Sequence, residues 1–353
     1  MYFMNHMQVA LIREHGDPSV IQIEQKPVPE PGPGEVLVRV LAVSINHLDL
    51  WVRRGMPGMP IPFPRILGCD GTGEIAAFGE GTEEATDLKV GDTVVIEPGY
   101  SSGTSDMDLA GLDHLSDDYG VRGEHCDGLD AEFVAIEARF LTALPDGIDP
   151  IQAAAMPLAF VTAWGMLVTR VNLQPEETVL VLGGTSGVGS AAIQIAKYLG
   201  ATVIATAGTE AKRDLAGLLG ADDVIDHSAP GWSKRVREFT DGRGADVVVE
   251  HVGPATWKDS TRSLARNGRL VTCGGTTGPE VSIQLPHLFI KNISILGSTM
   301  GPRDAYSAIF EAAAAGAFKP VVDRVLPMSE IVSAHAALEN REVLGKVVLI
   351  PGQ

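Results

Sequence analysis

The residues whose spacing most directly suggests chemistry are glycines that follow an apolar run at 179–182. Gly184 permits a tight turn, Gly187 leaves room for a pyrophosphate, and Gly189 lets the next helix pack on the strand. An amphipathic helix and a second apolar run at 201–206 follow, so the segment has the strand–turn–helix–strand order of a dinucleotide site. The residues expected at the phosphates are Gly184, Thr185, Ser186, Gly187, Val188 and Gly189, with Ser186 in place of the middle glycine of G-x-G-x-x-G.

The end of the second run predicts which dinucleotide binds. Folds that bind NAD place an acidic residue there to hold the ribose 2′-hydroxyl, whereas this chain has Thr206, Ala207, Gly208 and Thr209. A cation on the next helix, such as Lys212, could pair with a 2′-phosphate, although it could equally be a solvated charge. The missing acid favours NADPH over NADH. The residues expected near the ribose are Ala207, Thr209 and Lys212.

Composition narrows the class of protein. The chain has 353 residues, 45% of them hydrophobic and 20% charged, which is ordinary for a two-domain globular protein. A formal charge of −18 argues against nucleic acid or an anionic membrane as a partner. Three scattered cysteines, the lack of a signal-peptide pattern and the lack of a long apolar run predict a cytoplasmic protein.

The pattern of predicted secondary structure changes near residue 150. Short strands separated by Pro- and Gly-rich turns come first, which is typical of a barrel-like domain. Strands then alternate with helices, which predicts a doubly wound parallel sheet, and the last residues are expected to return to the first domain and leave a ligand cleft. The predicted strands are 8–12, 36–44, 73–78, 93–97, 131–135, 222–225, 245–252, 268–274, 321–326 and 345–350, and the predicted final helices are 304–315 and 329–340.

Several motifs are spread over nearly the whole chain, at 32–39, 46–49, 67–74, 90–94, 153–157, 162–164, 183–189 and 345–348. Together they resemble those of the medium-chain dehydrogenase/reductase superfamily. The resemblance implies an α/β protein with a GroES-like, β-rich catalytic domain at 1–158, a Rossmann NAD(P)-binding domain at 159–295 and a C-terminal return at 296–353. It also implies NAD(P)-dependent hydride transfer to a small-molecule substrate, and a homodimer that pairs edge strands near 293–299.

The positions that hold catalytic zinc in alcohol dehydrogenases of this superfamily differ here. The first ligand motif, Cys-His-Thr-Asp, is replaced by a segment that begins with Asn46, and the second, Gly-His-Glu, has Cys69 and Asp70. The third ligand, a cysteine, falls at or beside Leu158. Since a catalytic zinc needs about three N, S or O donors, we expect no zinc.

The structural zinc lobe of the family has also changed. Its pattern Cys-x₂-Cys-x₂-Cys-x₇-Cys corresponds to Ser102, Ser105, Asp108 and Ser116. Hydroxyls and one carboxylate cannot form that soft, closed thiolate site. The loop is therefore expected to be mobile or held by hydrogen bonds.

Without zinc, the substrate oxygen must be polarised by hydrogen bonds. Zinc-free quinone oxidoreductases of the superfamily carry Asn-x-x-Asp followed by an aromatic residue and an arginine, which matches Asn46, Asp49, Trp51 and Arg53. The Asn46 amide can donate to an oxygen on which charge develops. Asp49 would orient this loop, and Trp51 would form an apolar wall for a flat substrate, unless it is a core residue. Ile61 and Phe63 are further wall candidates.

The resemblance also implies cofactor contacts outside the glycine turn. His47 matches a histidine near the pyrophosphate, Thr162 is expected to touch the nicotinamide, and Lys346 matches a lysine close to the cofactor, although a surface ion pair would explain Lys346 as well. Two further pairs follow strands whose carboxyl ends bind ligands in such sheets. They are Val252 with Gly253, and Cys273 with Gly274.

Three functions are compatible with these features. The first is a zinc-independent, NADPH-dependent reductase of quinones or α,β-unsaturated carbonyls. The second is an alcohol dehydrogenase that interconverts alcohols with aldehydes or ketones, because relatives with Asn-His-Leu-Asp are usually labelled in that way. The third is a non-catalytic NADPH-binding protein.

Overall fold

The computed structural model describes residues 6–56 and 58–353, which form two compact units. The first unit comprises Met1–Leu158 and Tyr306–Gln353, and the second comprises Ala159–Ala305. The boundaries between the two units therefore lie after Leu158 and after Ala305, and the three-part division at 158 and 295 that the resemblance implies stays a prediction. Within the described residues, no helix has the length and hydropathy needed to cross a bilayer.

The strands are numbered in chain order. They are β1 (His6–Ile12), β2 (Gln22–Pro27), β3 (Glu35–Ser44), β4 (Arg65–Ile66), β5 (Asp70–Phe78), β6 (Thr93–Ile96), β7 (Gly99–Tyr100), β8 (Gly120–Val121), β9 (Phe133–Glu137), β10 (Leu141–Ala143), β11 (Thr178–Val181), β12 (Thr202–Thr206), β13 (Asp223–Ile225), β14 (Ala245–Glu250), β15 (Leu264–Thr272), β16 (Ser294–Gly297), β17 (Val322–Pro327) and β18 (Lys346–Ile350).

The helices are numbered in the same way, and a π-helical stretch, Gly165–Arg170, follows α4. They are α1 (His47–Arg54), α2 (Asp106–Leu109), α3 (Pro150–Ala153), α4 (Pro157–Trp164), α5 (Gly187–Tyr198), α6 (Glu210–Leu218), α7 (Ser233–Phe239), α8 (Pro254–Ser263), α9 (Leu285–Lys291), α10 (Ala305–Ala314) and α11 (Ile331–Glu339).

The first unit is built on a seven-stranded sheet of order β10-β6-β5-β3-β18-β17, with β9 also paired to β3. A three-stranded sheet, β2-β1-β4, and the hairpin β7-β8 complete it. Val36, Val38 and Val40 alternate along β3, and their buried side chains lie in the core of the unit together with Ile75 of β5. This β-rich unit confirms the predicted GroES-like domain.

The second unit is a six-stranded parallel sheet of order β13-β12-β11-β14-β15-β16. This is the doubly wound arrangement that the alternating strands and helices predicted. Strands β11 and β14 are almost wholly buried, because helices cover both faces of such a sheet. The Rossmann prediction is confirmed, and the glycine turn follows the central strand β11.

Helices α1 and α11 of the first unit carry a buried cationic side chain and a buried imidazole. The Arg53 side chain has no solvent exposure, and its Nη2 donates to Glu339 Oε2 at 2.7 Å. His335 lies one turn before Glu339, is fully buried, and has no hydrogen-bond partner for either ring nitrogen among the described residues. Burial, helped by the Arg53 guanidinium, lowers the pKa of His335 to about 3.

Replacing His335 with Leu should flatten the pH dependence of stability on the acid side. The unfolded chain binds a proton at His335 below pH ~6.5, but the folded chain does so only near pH 3, so stability is lost as the pH falls between these values. Between pH 6.5 and pH 5 the loss is about 2 kcal/mol. Thermal midpoints measured at both pH values should fall less for His335→Leu than for wild type.

The matched control is His6→Gln, because His6 is exposed at the start of β1. That variant should follow the wild-type pH dependence. Equal acid sensitivity of His335→Leu and wild type would contradict the buried neutral imidazole.

Candidate active site

A buried polar cluster lies where three strands of the first unit meet. Ser44, the last residue of β3, pairs with Asp70 at the start of β5 and with Val348 of β18. Continuing the β3–β18 register by two residues brings Lys346 opposite Asn46. Strand register, which is set by the apolar faces of β3 and β18, therefore fixes the meeting of Asn46, Asp70 and Lys346.

Lys346, Asp70 and Asn46 form a closed network. The Lys346 ammonium donates to Asn46 Oδ1 in a short hydrogen bond and to Asp70 Oδ2 at 3.1 Å. Asn46 Nδ2 also donates to Asp70 Oδ2 at 2.9 Å. Lys346 is only 5% exposed and Asp70 is fully buried. The ion pair therefore lies in a low-dielectric site with its hydrogen bonds satisfied.

The second hydrogen of Asn46 Nδ2 has weaker partners. Its nearest acceptors are the Ser44 carbonyl at 3.3 Å and the Cys69 Sγ at 3.4 Å. Both contacts are longer than a good N–H···O bond. One N–H of the amide is thus committed to Asp70, while the other can exchange to a better acceptor.

Asp49 holds the backbone on both sides of this network. Its Oδ2 accepts the Asn46 N–H at 2.6 Å, and its Oδ1 accepts the Gly68 N–H at 3.2 Å. Asn46 is the N-cap of α1 and Asp49 its third residue, so the two form a capping box. Burial raises the pKa of Asp49 to about 6. This geometry suits the loop-orienting role expected for Asp49.

The residues at the family's zinc-ligand positions do not fit a catalytic zinc. Burial, together with the Asp49 and Asp70 carboxylates, raises the pKa of the Cys69 thiol well above its usual range. Asp70 already accepts from the Leu158 N–H at 2.7 Å as well as from Lys346 and Asn46, and the Leu158 side chain is aliphatic. Within residues 6–56 and 58–353, no three His, Cys, Asp or Glu side chains are grouped to hold a metal.

Two buried ionisable residues of the first unit, Asp130 and Tyr306, were not found by sequence reasoning. Asp130 lies against Gly68, where an added Cβ would stand 2.3 Å from its Oδ1, and burial beside Asp49 raises the pKa of Asp130 well above its usual range. Tyr306, in the first turn of α10, is 3% exposed. Burial, with Tyr119 and Glu97 nearby, keeps the pKa of Tyr306 well above that of a free phenol. The sequence signal for Asp130 was only a polar residue before β9.

The wall residues predicted from the sequence differ in their surroundings. Trp51 is half-buried on α1, and His47 is partly exposed in the first turn of the same helix. Ile61 belongs to the core of the unit. Phe63 is 39% exposed and packs edge-on against His15, with ring centroids 4.8 Å apart.

The loop at the structural-zinc positions is held by hydrogen bonds. Ser105 caps α2 and forms a capping box with Asp108. Ser116 Oγ donates to Ser105 Oγ at 2.8 Å, and Ser101 Oγ donates to Asp108 Oδ1 at 2.6 Å. Asp118 accepts from the Ser116 hydroxyl and, at 3.0 Å, from the Ser102 N–H, so all four family cysteine positions join one polar network.

The glycine turn of the second unit has the features of a phosphate site. Ser186 is the N-cap of α5, and its Oγ accepts the Gly189 N–H at 3.0 Å. The N–H groups of Gly187 and Val188 have no acceptor among the described residues. A Cβ on Gly189 would lie 2.2 Å from the Gly183 carbonyl oxygen, so only glycine permits this helix–strand approach. Two unsatisfied donors at a helix N-terminus suit a pyrophosphate.

The end of β12 carries no carboxylate. Thr206 Oγ1 accepts the Gly183 N–H at 3.1 Å and contacts the His227 Nδ1 at 2.9 Å, and Ala207 is buried. Thr209 caps α6 by accepting the Lys212 N–H. Arg213, the next cation on α6, pairs with Asp226 at 3.3 Å.

The remaining cofactor candidates of this unit lie after strands β14 and β15 and on helix α4. Glu250 Oε1 accepts the N–H groups of Val252 and Gly253 at 2.7 and 3.0 Å, which fixes the turn after β14. Cys273 and Gly274 directly follow β15. These two pairs follow β14 and β15 at the same edge of the parallel sheet as the glycine turn. Thr162 is buried on α4, with its hydroxyl 3.8 Å from the Met300 sulfur.

Comparison with known families matches both units. The family model "Alcohol dehydrogenase GroES-like domain" matches residues 32–146, and the model "Zinc-binding dehydrogenase" matches residues 187–315. The first match lies in the β-rich unit, and most of the second lies in the parallel-sheet unit.

Individual relatives match over almost the whole chain. A quinone oxidoreductase of Pseudomonas aeruginosa is 32% identical over 96% of this chain and 97% of its own length. An NAD-dependent alcohol dehydrogenase of Sulfurisphaera tokodaii is 29% identical over 98% of this chain and 100% of its own length. A crystal structure of an NAD-dependent alcohol dehydrogenase is 43% identical, with a TM-score of 0.94 over 98% of this chain and 100% of that one.

These matches cover the two units, the order of their elements and the motifs on which the sequence resemblance was based. The resemblance is confirmed: the chain belongs to the medium-chain dehydrogenase/reductase superfamily and is an oxidoreductase of that superfamily.

Proposed function

We propose that this protein is a zinc-independent, NADPH-dependent reductase that transfers hydride to a quinone or to an α,β-unsaturated carbonyl compound. The observation that carries the proposal is that Asn46 and Asp70, at positions of the family's zinc-ligand motifs, are both hydrogen-bonded to Lys346. This network supplies one positive charge and one polarised amide in place of the Lewis acid of zinc-dependent relatives.

The charge of Lys346 acts on the substrate through Asn46. Because the ammonium donates to Asn46 Oδ1, it withdraws electron density from the amide and strengthens its N–H groups as donors. The Nδ2 hydrogen with only the 3.3 and 3.4 Å contacts is the one that turns to the acceptor oxygen. Asn46 is then the catalytic residue, and Lys346, Asp70 and Asp49 position it.

When bound, NADPH supplies a hydride, which is a proton with two electrons. Its addition to an electron-poor carbon places negative charge on the acceptor oxygen, where the Asn46 N–H stabilises it. A proton from water completes the hydroquinone or the saturated carbonyl product. The zinc alcohol dehydrogenases of the superfamily oxidise alcohols with a metal and a hydroxyl relay, and the relay position is occupied here by the aliphatic Leu48.

The ends of β11 and β12 support the cofactor preference. The free N–H groups of Gly187 and Val188 suit a pyrophosphate. The end of β12, where an NAD-binding fold has a carboxylate for the ribose 2′-hydroxyl, is followed instead by Thr209, the N-cap of α6. Lys212, in the first turn of α6, is our candidate for binding the 2′-phosphate. Lys346 is proposed to position Asn46 and also to lie close to the bound cofactor. His47, Thr162, Ala207, Val252, Gly253, Cys273 and Gly274 complete the proposed cofactor contacts.

An NAD-dependent alcohol dehydrogenase is the second candidate function. Two of the relatives described above carry that name, and one of them is the 43% identical structure. In a zinc-dependent enzyme of that kind, the buried Cys69 and Asp70 would have to serve as metal ligands.

The surface of the second unit supports a homodimer. Strand β16 is an edge strand, and α9 beside it exposes Leu285, Phe289 and Ile290 at 64%, 68% and 57%. An exposed apolar face next to an open sheet edge is typical of subunit association. The three free cysteines are compatible with a cytoplasmic location.

The reaction is tested with an acceptor panel. We expect NADPH oxidation with benzoquinone and with 2-cyclohexenone under anaerobic conditions, a lower kcat/KM with NADH, and no reduction of NAD(P)⁺ by primary or secondary alcohols. Steady-state rates measured by absorbance at the nicotinamide band provide the comparison. Fast alcohol turnover together with inert quinones and enones would support the alternative instead.

The catalytic network is tested by removing its charges singly and together. Lys346→Met leaves the buried Asp70 unpaired and should lower the free energy of unfolding by about 3–5 kcal/mol. Lys346→Met combined with Asp70→Asn should recover most of that stability. Both variants should lose at least about tenfold in kcat, since one weakened charge-assisted bond costs roughly 1.4 kcal/mol or more.

The control for the network is Lys89→Met, since Lys89 is exposed in the same unit and should leave kcat unchanged. If the stable double variant kept the wild-type kcat, Lys346 and Asp70 would not assist the reaction.

The dimer is tested at the exposed face of α9. Leu285→Glu with Phe289→Glu places two carboxylates in that face and should convert a dimer to a monomer in sedimentation velocity. Leu218→Glu on α6 is the control, because Leu218 is 86% exposed and lies away from β16. A wild-type protein that sediments as a monomer, or a double variant that remains dimeric, would contradict the proposal.

A further inference from the structure

A cationic cavity lies in the second unit, away from the glycine turn. Its volume is about 320 Å³. It is lined by Arg237 of α7, Arg243, Arg266, and His287, Ile290 and Lys291 of α9. Four of the eight residues that line the cavity are cations, in a chain whose formal charge is −18.

The cavity lies at the amino-terminal edge of the parallel sheet. Arg243 comes two residues before β14, and Arg266 lies in the irregular stretch at the start of β15. The glycine turn, by contrast, follows the carboxyl end of β11, which runs parallel to β14. The cavity is therefore separate from the dinucleotide site.

Three of the cations have no carboxylate partner within the described part of the chain. Arg243 pairs with Asp246, but Arg237, Arg266 and Lys291 take part in no ion pair there. Other arginines of this unit, such as Arg235 with Glu238, are paired. The arrangement thus leaves unpaired positive charge on the exposed Arg237 and Arg266 and the half-buried Lys291 around the cavity.

Backbone carbonyls hold these cations in place. Arg237 Nη2 donates to the Arg262 carbonyl at 3.0 Å, and Arg266 Nη1 donates to the Ile290 carbonyl at 2.8 Å. Lys291 Nζ donates to the Leu264 carbonyl at 2.6 Å. Each contact uses only part of the side chain's donor capacity, so donors remain for a ligand.

The cations also repel one another. Burial lowers the pKa of Lys291, and the neighbouring Arg237 and Arg266 lower it further. Like charges held together in this way are destabilising until an anion enters.

We propose that this cavity binds the phosphate group of a small anionic metabolite. Guanidinium groups form planar, bidentate hydrogen bonds that match phosphate oxygens, and the two free forks of Arg237 and Arg266 flank the Lys291 point charge. The volume is at the lower end of the range for small-molecule sites, which is about 300–1,000 Å³. The site does not depend on the proposed reductase activity.

The test is calorimetric titration with inorganic pyrophosphate as the probe, performed on the full chain saturated with NADPH so that the dinucleotide site is filled. We expect one site per chain in wild type, weakened at least tenfold in Arg237→Gln with Arg266→Gln. Arg235→Gln, on the same helix but ion-paired outside the cavity, should bind as wild type does. If the double variant folds poorly, the single variant Lys291→Met provides the test, and it should also weaken pyrophosphate binding.

Three results would overturn the site. They are the absence of pyrophosphate binding to wild type, equal binding by the double variant and wild type, and a change of sedimentation coefficient in the double variant. The last would mean that the cations face a second copy of the chain.

Discussion

The catalytic unit depends on one buried interaction, the contact of the Lys346 ammonium with Asp70 and Asn46. It exists because β3 lies between β5 and β18, so that one strand end brings together residues 46, 70 and 346. A shift of either register by one residue would turn each side chain to the opposite face of the sheet. The chemistry of the unit is thus a consequence of strand pairing.

The same interaction determines the state of its neighbours. Asp70 accepts from Lys346, Asn46 and the Leu158 N–H, which compensates the cost of burying a carboxylate. Cys69, beside it, faces two carboxylates and no solvent, so it stays a neutral thiol.

Much of the fold could be predicted from the sequence, because its signals are local. The glycine turn, the alternation of strands and helices after residue 150, and the two helices near the C-terminus are periodic patterns, and the structure has β17, β18, α10 and α11 close to the predicted bounds. The strand β2 was missed because Gln22–Pro27 is polar and exposed along one edge of a small sheet. The division of the chain after Ala305 follows from long-range contacts, which local patterns do not encode.

The site was only partly predictable. Asn46, Asp49 and Lys346 were found by motif resemblance, but the contact of Lys346 with Asp70 joins residues 276 positions apart and follows from sheet topology alone. Asp130 and Tyr306 have ordinary sequence contexts, and only burial reveals them. The cationic cavity was missed because its cations come from four separate segments, which are α7, the loop before β14, the start of β15, and α9.

We propose that Asn46 and Asp70, which stand at positions of the family's zinc-ligand motifs, are occupied by hydrogen bonds to the Lys346 ammonium and not by a metal ion. The most direct measurement is anomalous diffraction above the zinc absorption edge, from crystals grown with zinc and NADPH. The account predicts no anomalous peak within 3 Å (roughly a metal–ligand distance) of Cys69 or Asp70, with Lys346 hydrogen-bonded to Asp70. A tetrahedral peak bound by Cys69, with Lys346 displaced, would contradict it.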